Sequence, residues 1–292
     1  MNGPIAALLG GYRLHLQHGP IDLIIGADTE RAEDKDRAFA AARARFQTIL
    51  TELVSELPLL RSPVTAESAR PQGTIARRMH AAALPHARKV FVTPMAAVAG
   101  AVADEVLQAM TAVAPLTRAY VNDGGDIALH LAPGQIYRTK MAGLDGADLG
   151  RIELDHGAGI GGIASSGRGG RSLSFGIADS VTVLARDAAS ADVAATLIAN
   201  AVTLDGHPQV RRQPAYELDP DSDLGTREVV VTVGFLAEDE IARALDAGKV
   251  VAETMLRRGL IASASLSLRG AARIVGARPL IAPNPIEMVE HA

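Results

Sequence analysis

Eight glycines fall within the twenty residues from Gly157 to Gly176, and this stretch constrains the fold more than any other feature of the sequence. Glycine loses more conformational freedom on folding than other residues, so a regular helix across this stretch is disfavoured. Residues 157–162 match the dinucleotide fingerprint G-x-G-x-x-G, with Asp179 near the position of its acidic residue. That fingerprint needs a helix to begin within it, and the glycines continue to Gly170. We therefore expect no Rossmann-type nucleotide site.

Two interpretations of the glycine-rich stretch stay open. In the first, successive backbone N–H groups of a glycine and serine loop containing Gly167 bind phosphate oxygens. The side chains of Ser165, Ser166, Arg168 and Arg171 would add hydroxyl and guanidinium donors. In the second, the stretch is a surface loop without a ligand.

The composition excludes several classes of protein. The absence of cysteine excludes disulfides, thiolate nucleophiles and zinc–thiolate sites. No apolar run reaches the ~18 residues of a membrane-spanning helix, and the first residues lack an export signal, so we expect a cytoplasmic protein that binds no membrane. The net charge of -4 argues against nucleic-acid binding. The expected partner is a small molecule, with a homodimer as the default state for an enzyme of this size.

Strand and helix patterns predict the fold class. Alternation over residues 12–18 and 21–25, interrupted by Gly19-Pro20, predicts a β-hairpin. Apolar residues three to four apart predict a long helix over residues 29–57. Further helices are predicted over residues 95–110, 188–204 and 238–257, and further strands over residues 118–122, 126–131, 150–155, 179–185, 229–236 and 262–268. Because the strands occur in neighbouring pairs with helices between them, we predict an α+β fold of mainly antiparallel sheets packed with helices.

We expect a single domain over residues 1–292. Within it we predict two lobes with a ligand cleft between them. One lobe combines residues 1–93 and 205–292, and the other, residues 94–204, is a core that carries the motifs described below.

The helix predicted after Asp187 is apolar except for Asp192, Thr196 and Asn200, which their four-residue spacing places on one face. A carboxylate and a hydroxyl one turn apart are hard oxygen ligands suited to Mg²⁺. In the alternative interpretation, Asp192 interacts with the helix dipole and the Thr196 hydroxyl bonds to the carbonyl one turn earlier. Spacing alone favours this alternative.

The turn from Asn122 to Asp126 joins two predicted strands, and its Gly124 and Gly125 permit positive φ angles. As a structural element it is a hairpin turn. As a functional element it presents an amide and carboxylates at a strand end, where ligands often bind. The histidines show no metal-ligand spacing, and the nucleophile elbow and the P-loop motif are absent.

Four segments, taken in order, carry a family resemblance. They are residues 94–104, similar to a Lys-Gly-x-x-x-Asp helix at Gly100 and Asp104; residues 121–127, similar to Val-Asn-x-Gly-Gly-Asp-Ile; residues 163–167, similar to a Thr-Ser-Gly segment; and Ala191-Asp192-x-x-x-Thr196, similar to a magnesium-binding Asp and Thr. In this order they resemble the superfamily of FAD:protein FMN transferases (ApbE), most closely its uncharacterised cytoplasmic branch.

The resemblance implies an ApbE-like fold, a flavin ligand (FAD or FMN) and Mg²⁺ held by Asp192 and Thr196. The residues it implies in ligand binding are Gly100, Asp104, Asn122, Gly124, Gly125, Ser165, Ser166, Gly167, Arg168 and Arg171. General acid or base catalysis would fall to Asp126 or Asp179.

Two departures from the family pattern bear on the reaction. Ala99 stands where the transferases have Lys, and residues 171–179 lack the His and Pro of the family's His-x-x-x-Asp-Pro-x-x-Gly segment. Binding of a flavin or another phosphate-bearing ligand with Mg²⁺ is therefore better supported than FMN transfer to protein. If the protein catalyses a reaction, we expect transfer or hydrolysis at a pyrophosphate. The alternatives are an enzyme of another class in the same pocket, such as a reductase or a step in pterin or C1-cofactor biosynthesis, and a non-catalytic ligand-binding module.

Overall fold

The computed structural model of the chain describes residues 3–142, 148–170, 172–276 and 280–281. The helices are α1 (Ala32–Ser55), α2 (Leu57–Leu60), α3 (Thr74–Ala83), α4 (Val98–Thr111), α5 (Ala188–Ala201), α6 (Ala215–Leu218) and α7 (Glu238–Arg257), and 3₁₀ turns cover Pro94–Ala97 and His156–Ala158. The strands are β1 (Ile5–Leu9), β2 (Arg13–His18), β3 (Ile21–Asp28), β4 (Arg118–Asp123), β5 (Asp126–Leu131), β6 (Ile136–Ala142), β7 (Asp148–Asp155), β8 (Gly162–Ser166), β9 (Ser180–Ala185), β10 (Val210–Pro214), β11 (Glu228–Val233), β12 (Ser263–Leu268), β13 (Ala271–Val275) and β14 (Leu280–Ile281).

The chain divides into two compact units. The first unit comprises Met1–Gln135, Gly159–Ala164 and Ala185–Val193, and the second comprises Ile136–Ala158, Ser165–Leu184 and Ala194–Ala292. These bounds differ from those of the two lobes expected from the sequence, and the predicted lobes with their cleft stay a prediction.

The first unit is built on an antiparallel sheet. Strands β1 to β5 follow one another in sequence order, each paired with the next, and β5 also pairs with β8. Helix α4 packs on α1 and on strands β4 and β5. The largest fully buried side chains of this unit are Leu14, Leu16, Leu23, Ile25, Phe39, Phe46, Ile49, Leu60, Ile75, Met79 and Met110. Apolar alternation on β2 and β3 and the helical spacing on α1 therefore supply its core.

The second unit contains three groups of antiparallel strands. Strand β12 pairs with β9 and β13, β7 pairs with β6 and β14, and β10 pairs with β11. Helix α7 packs on β12 and β13. Its buried residues Ala244, Leu245, Gly248, Ala252 and Met255 form the apolar face that the sequence periodicity predicts.

Most predicted elements are confirmed. The first hairpin forms as β2 and β3 around Gly19, whose φ of 58° explains why glycine occupies the turn. The long helix α1 begins at Ala32 and ends at Ser55, inside the predicted range. Helix α7 has the predicted bounds. Every strand pair with a described register is antiparallel, so the predicted α+β class is confirmed.

Other elements lie where the sequence predicts none, and one prediction is wrong. The missed elements include α3, β1, β6, β8, β10 and β13. Ser165 and Ser166, expected in a glycine and serine loop, belong to strand β8. The local composition suggested a loop because glycine is unfavourable in strands, but β8 begins by pairing with β5 at Gly162 and Ile163 and continues as a strand through Ser166. No helix in the described part of the chain is both long and apolar enough to cross a membrane.

Candidate functional site

The start of α5 lies against α4 at very short range in the first unit. A Cβ atom on Gly100 would overlap the carbonyl group of Ala188, and one on Gly162 would overlap the peptide bond between Asp187 and Ala188. Because these neighbours are backbone atoms, a side chain could be accommodated at either glycine only if the backbone moved. Gly100 therefore permits the close approach of α4 to the start of α5, and Gly162 permits that of strand β8.

Asp104 on α4 caps the N-terminus of α5. Its two carboxylate oxygens accept hydrogen bonds from the backbone N–H groups of Ala188 and Ala189, at 3.1 and 3.0 Å. The first N–H groups of a helix have no partner within the helix, and a carboxylate at this end is stabilised by the helix dipole. Asp104 is only 9% exposed. Its described hydrogen bonds are both to the backbone of α5.

Asp192 on α5 makes the reciprocal contact with α4. Its Oδ2 atom accepts a hydrogen bond of 3.1 Å from the N–H of Gly100, the third residue of α4. Each helix thus supplies a carboxylate to the first turn of the other. Asp192 keeps partial exposure, whereas its neighbours Ala191 and Val193 are buried.

The β4–β5 hairpin supplies two further carboxylates. Gly124 and Gly125 form its tip with φ angles of 63° and 115°, and the Asn122 side-chain oxygen accepts a hydrogen bond of 2.8 Å from the N–H of Gly125. This tight turn sets Asp123 opposite Asp126 in the strand register. Asp123 is buried. The hairpin-turn interpretation is therefore correct locally, and the same turn fixes where both carboxylates lie.

Asp104, Asp123, Asp126 and Asp192 form what we call the acidic cluster. Burial raises the pKa of Asp192 well above its usual value, and the charges of Asp126, Asp123 and Asp104 raise it further against the opposing effect of the Gly100 N–H. Burial also raises the pKa of Asp104 to about 6, although the N–H groups of Ala189 and Ala188 favour its ionised form. Both shifts have the sign expected for buried carboxylates near other negative charges.

The sequence predicts three of the four members of this cluster but not their proximity. Asp126, Asp192 and Asp104 were separate expectations, as catalytic, metal-binding and ligand-binding residues. Asp123 was missed, although it lies inside the Asn122–Asp126 turn. Asp187, which accepts a hydrogen bond of 2.8 Å from the N–H of Ser190, was also missed. An Asp immediately before an apolar helix is a recognised start signal and could have identified it.

The predicted metal ligands lie on one helix, as expected. Thr196 follows Asp192 by one turn of α5, and both are partly exposed among buried neighbours. Within the described ranges, no group of three or more His, Asp or Glu side chains is arranged to hold a metal ion by itself. Binding of Mg²⁺ by Asp192 and Thr196 stays a prediction.

The second unit contains the other predicted site residues, and there the charges are paired. Arg168 donates a hydrogen bond of 3.1 Å to Asp179 Oδ1, and the N–H of Arg269 donates one of 2.6 Å to Asp179 Oδ2. Gly167 has a φ of 155°, and a Cβ there would lie 2.5 Å from the carbonyl oxygen of Asp179. The Ser165 hydroxyl lies 2.9 Å from that of Thr182.

The roles predicted for these second-unit residues, in phosphate binding and catalysis, stay predictions. Both oxygens of Asp179 are engaged within its own unit. Arg171 lies outside the described residues.

The architecture and the site together define an α+β protein in which a hairpin and two mutually capped helices present a half-buried acidic cluster. The sequence profile described as "AbpE bacteria" matches residues 5–274, and the chain belongs to this family. The resemblance to the ApbE superfamily drawn from the four motifs is confirmed.

The chain is also similar to archaeal proteins named UPF0280. It is 35% identical to one from Methanothrix thermoacetophila over 190 residues, covering 64% of this chain and 76% of that protein. It is 34% identical to one from Methanopyrus kandleri over 219 residues, covering 71% of this chain and 84% of that protein.

Two solved structures are similar over most of the chain. The flavinyl transferase ApbE of Pseudomonas stutzeri, in its apo form, matches with a TM-score of 0.44 and 12% identity over 94% of both chains. The ApbE protein of Thermotoga maritima matches with a TM-score of 0.38 and 14% identity, covering 85% of this chain and 76% of that chain.

Proposed function

We propose that this protein binds a flavin nucleotide, FAD or FMN, or a related phosphate-bearing ligand, together with Mg²⁺ held by Asp192 and Thr196. The observation that carries the proposal is the position of Asp192: it lies on α5 one turn before Thr196 and near three other aspartates, and one N–H is its only described hydrogen-bond partner. A group of carboxylates in such surroundings is stabilised either by protons or by a bound cation.

The donor set fits Mg²⁺ rather than a softer metal. The cluster offers carboxylate oxygens, Thr196 adds a hydroxyl, and the chain has no cysteine. Mg²⁺ takes few protein ligands and completes its octahedron with water and phosphate oxygens, so a set smaller than three acidic side chains is compatible with it. When bound, the ion would neutralise negative charge on a pyrophosphate.

The chain's own residues orient this site. The N–H of Gly100 holds Oδ2 of Asp192, which leaves Oδ1 of that carboxylate without a described hydrogen bond. Asp104 anchors the first turn of α5 and so restricts where Asp192 can lie. Asp126, at the start of β5, is partly exposed and is our candidate for accepting a proton from an attacking water.

We infer that the reaction is not FMN transfer to a protein acceptor. Ala99 replaces the lysine of the family pattern, and residues 171–179 contain no histidine. Hydrolysis of a pyrophosphate needs neither side chain, because water attacks one phosphorus atom, the bridging P–O bond breaks, and FAD yields FMN and AMP. Charge neutralisation and positioning supply most of the catalysis of phosphoryl chemistry.

The binding proposal is tested by thermal unfolding with FAD or FMN, with and without Mg²⁺. We expect Mg²⁺ to raise the Tm and to strengthen flavin binding, with stabilisation of about 2.7 kcal/mol at one hundred times Kd. Asp192→Asn should raise the Tm in the absence of metal, because repulsion is relieved, and should abolish the effect of Mg²⁺. Asp34→Asn is the matched control, since Asp34 is buried in the same unit and pairs with Arg37.

An equal response to Mg²⁺ in the wild type and Asp192→Asn would reject the metal assignment. Release of AMP from FAD, followed by chromatography, tests the reaction separately. We expect release to need Mg²⁺ and to be lost in Asp126→Asn, while flavin binding is kept. Flavin binding without AMP release would favour the non-catalytic ligand-binding module.

A further inference from the structure

The segment from Arg61 to Thr93 differs in charge from the rest of the chain. It contains six Lys and Arg residues and a single acidic residue, Glu67, whereas the remainder carries 23 Lys and Arg against 32 Asp and Glu. A segment of net charge +5 thus lies within a chain whose other residues sum to -9. The whole segment belongs to the first unit, and the small net charge of the protein conceals this asymmetry.

Four of the six cations are exposed and have no partner among the described residues. Arg70, Arg77, Arg88 and Lys89 are exposed, and within the described part of the chain none of their side chains has a hydrogen-bond or ion-pair partner. Arg78, by contrast, donates hydrogen bonds to Glu105 and Gln108. Unpaired guanidinium groups present a fork of donors that matches carboxylates.

Helix α3 and the turns after it arrange these cations. Its buried residues are Ile75, Ala76, Met79, His80, Ala82 and Ala83. Arg77 and Leu84, seven residues apart, therefore lie on the opposite, exposed side. Successive turns continue to Lys89 through hydrogen bonds from the N–H groups of His86 and Ala87 to the carbonyls of Ala83 and Leu84. Arg88 consequently follows Leu84 by one turn.

Exposed aliphatic side chains accompany the cations. Leu84 is 40% exposed and Val90 is 47% exposed. We give the name basic face to the exposed side chains of this segment that are basic or aliphatic and that are named here, namely Arg70, Arg77, Leu84, Arg88, Lys89 and Val90. Its uncompensated charge acts on a neighbour: burial lowers the pKa of His80, and the charge of Arg70 lowers it further.

We propose that the basic face binds a short acidic segment of a partner protein, one that alternates carboxylates with aliphatic side chains. Charge complementarity selects an acidic partner, and Leu84 and Val90 select a partly apolar one. A nucleic acid or a bilayer would extend beyond this face and meet the net negative charge of the remaining chain, whereas a short segment contacts the basic face alone. The apolar side of α3 is already buried and so is not free to enter a membrane.

The test uses the full-length protein and a fluorescent peptide, as long as α3, of alternating Glu and Leu. Binding is measured by anisotropy over a series of salt concentrations. We expect binding that weakens as salt rises. The triple variant Arg77→Ser, Arg88→Ser, Lys89→Ser should weaken it by about tenfold or more.

The matched control removes the same charge elsewhere. Arg211→Ser, Arg257→Ser and Arg258→Ser change three exposed arginines of the second unit, and this variant should bind the peptide within about twofold of the wild type. The altered side chains are exposed in both variants, and circular dichroism verifies that both fold.

Four results would overturn the proposal. They are no peptide binding by the wild type, equal loss in the two triple variants, tighter binding of an RNA oligonucleotide or of phosphatidylserine vesicles at the same residues, and a salt-sensitive dimer of the chain alone that dissociates in the first triple variant. The last result would make the partner a second copy of this chain. None of these outcomes depends on the metal or flavin proposed above.

Discussion

Asp192 in the first unit and Asp179 in the second have opposite surroundings, although the sequence singles out both as candidate site residues. Asp192 has three other aspartates near it and a single described N–H donor. Asp179 has an arginine on one oxygen and a backbone N–H on the other. The charge of Asp179 is therefore compensated by the protein itself, and that of Asp192 is not.

This difference separates a carboxylate whose charge is compensated within the protein from one that is a candidate metal ligand. Carboxylates whose neighbours supply cations and donors contribute to the fold, whereas buried carboxylates gathered close together are costly unless a proton or a cation binds among them. The same residue type thus has two different environments in this protein, and the surrounding charges define the difference.

We expect the largest loss of stability from a substitution at the close contact between α4 and α5. Gly100→Ala would place a methyl group against the backbone of Ala188, and we expect a loss of about 4 kcal/mol in the free energy of unfolding. Urea denaturation measures it. Gly10→Ala is the control, since a Cβ there meets no atom within 4 Å. Equal stability of the two variants would show that α4 and α5 can move apart at little cost. The acidic cluster would then not be held in place, and the contrast between Asp192 and Asp179 would no longer hold.

The pH dependence of stability tests the cluster next. Asp104 has a pKa of about 6 in the folded protein against 3.8 as its ordinary value. Because the folded state holds this proton more tightly, the stabilisation is complete below about pH 4 and is lost as the pH rises through about 6. The shift corresponds to about 3 kcal/mol.

Asp104→Asn should remove the part of the pH dependence of stability that comes from protonation of Asp104. We expect the stability of the variant, relative to the wild type, to rise by about 3 kcal/mol between pH 4 and pH 7. Urea denaturation at several pH values measures the difference. If the stability difference between the variant and the wild type stayed constant across this range, Asp104 would be ionised at little cost. The acidic cluster would then resemble the compensated Asp179.

We expect the smallest loss of stability from a substitution at the ion pair between Arg168 and Asp179. Arg168→Met leaves Asp179 with the N–H of Arg269, and both side chains of the Arg168–Asp179 pair are about one-third exposed. Such a pair contributes less than about 1 kcal/mol, and its effect should shrink further at high salt. Chemical denaturation at low and high salt provides the measurement. If Arg168→Met instead lowered the free energy of unfolding as much as Gly100→Ala does, Asp179 would depend on its arginine far more than a partly exposed ion pair should.

Local sequence signals predicted much of the fold. The first hairpin, helices α1 and α7 and the β4–β5 turn follow from alternation, from helical spacing and from glycine and proline, all of which act over a few residues. The family motifs at Gly100, Asn122–Asp126 and Asp192 were recognisable for the same reason. Strand β8 was missed because its glycines are unfavourable in strands. Helix α3 was missed although its buried residues recur at helical spacing.

The sequence by itself determined which carboxylates, glycines and strands this protein has and where along the chain they stand. Only the tertiary structure decided which carboxylates meet one another and which meet an arginine. The contacts that decide this join distant residues: Asp104 bonds to Ala188, 84 residues away, and Arg269 bonds to Asp179, 90 residues away. No local pattern encodes such pairings, because they depend on how separately formed helices and strands pack together.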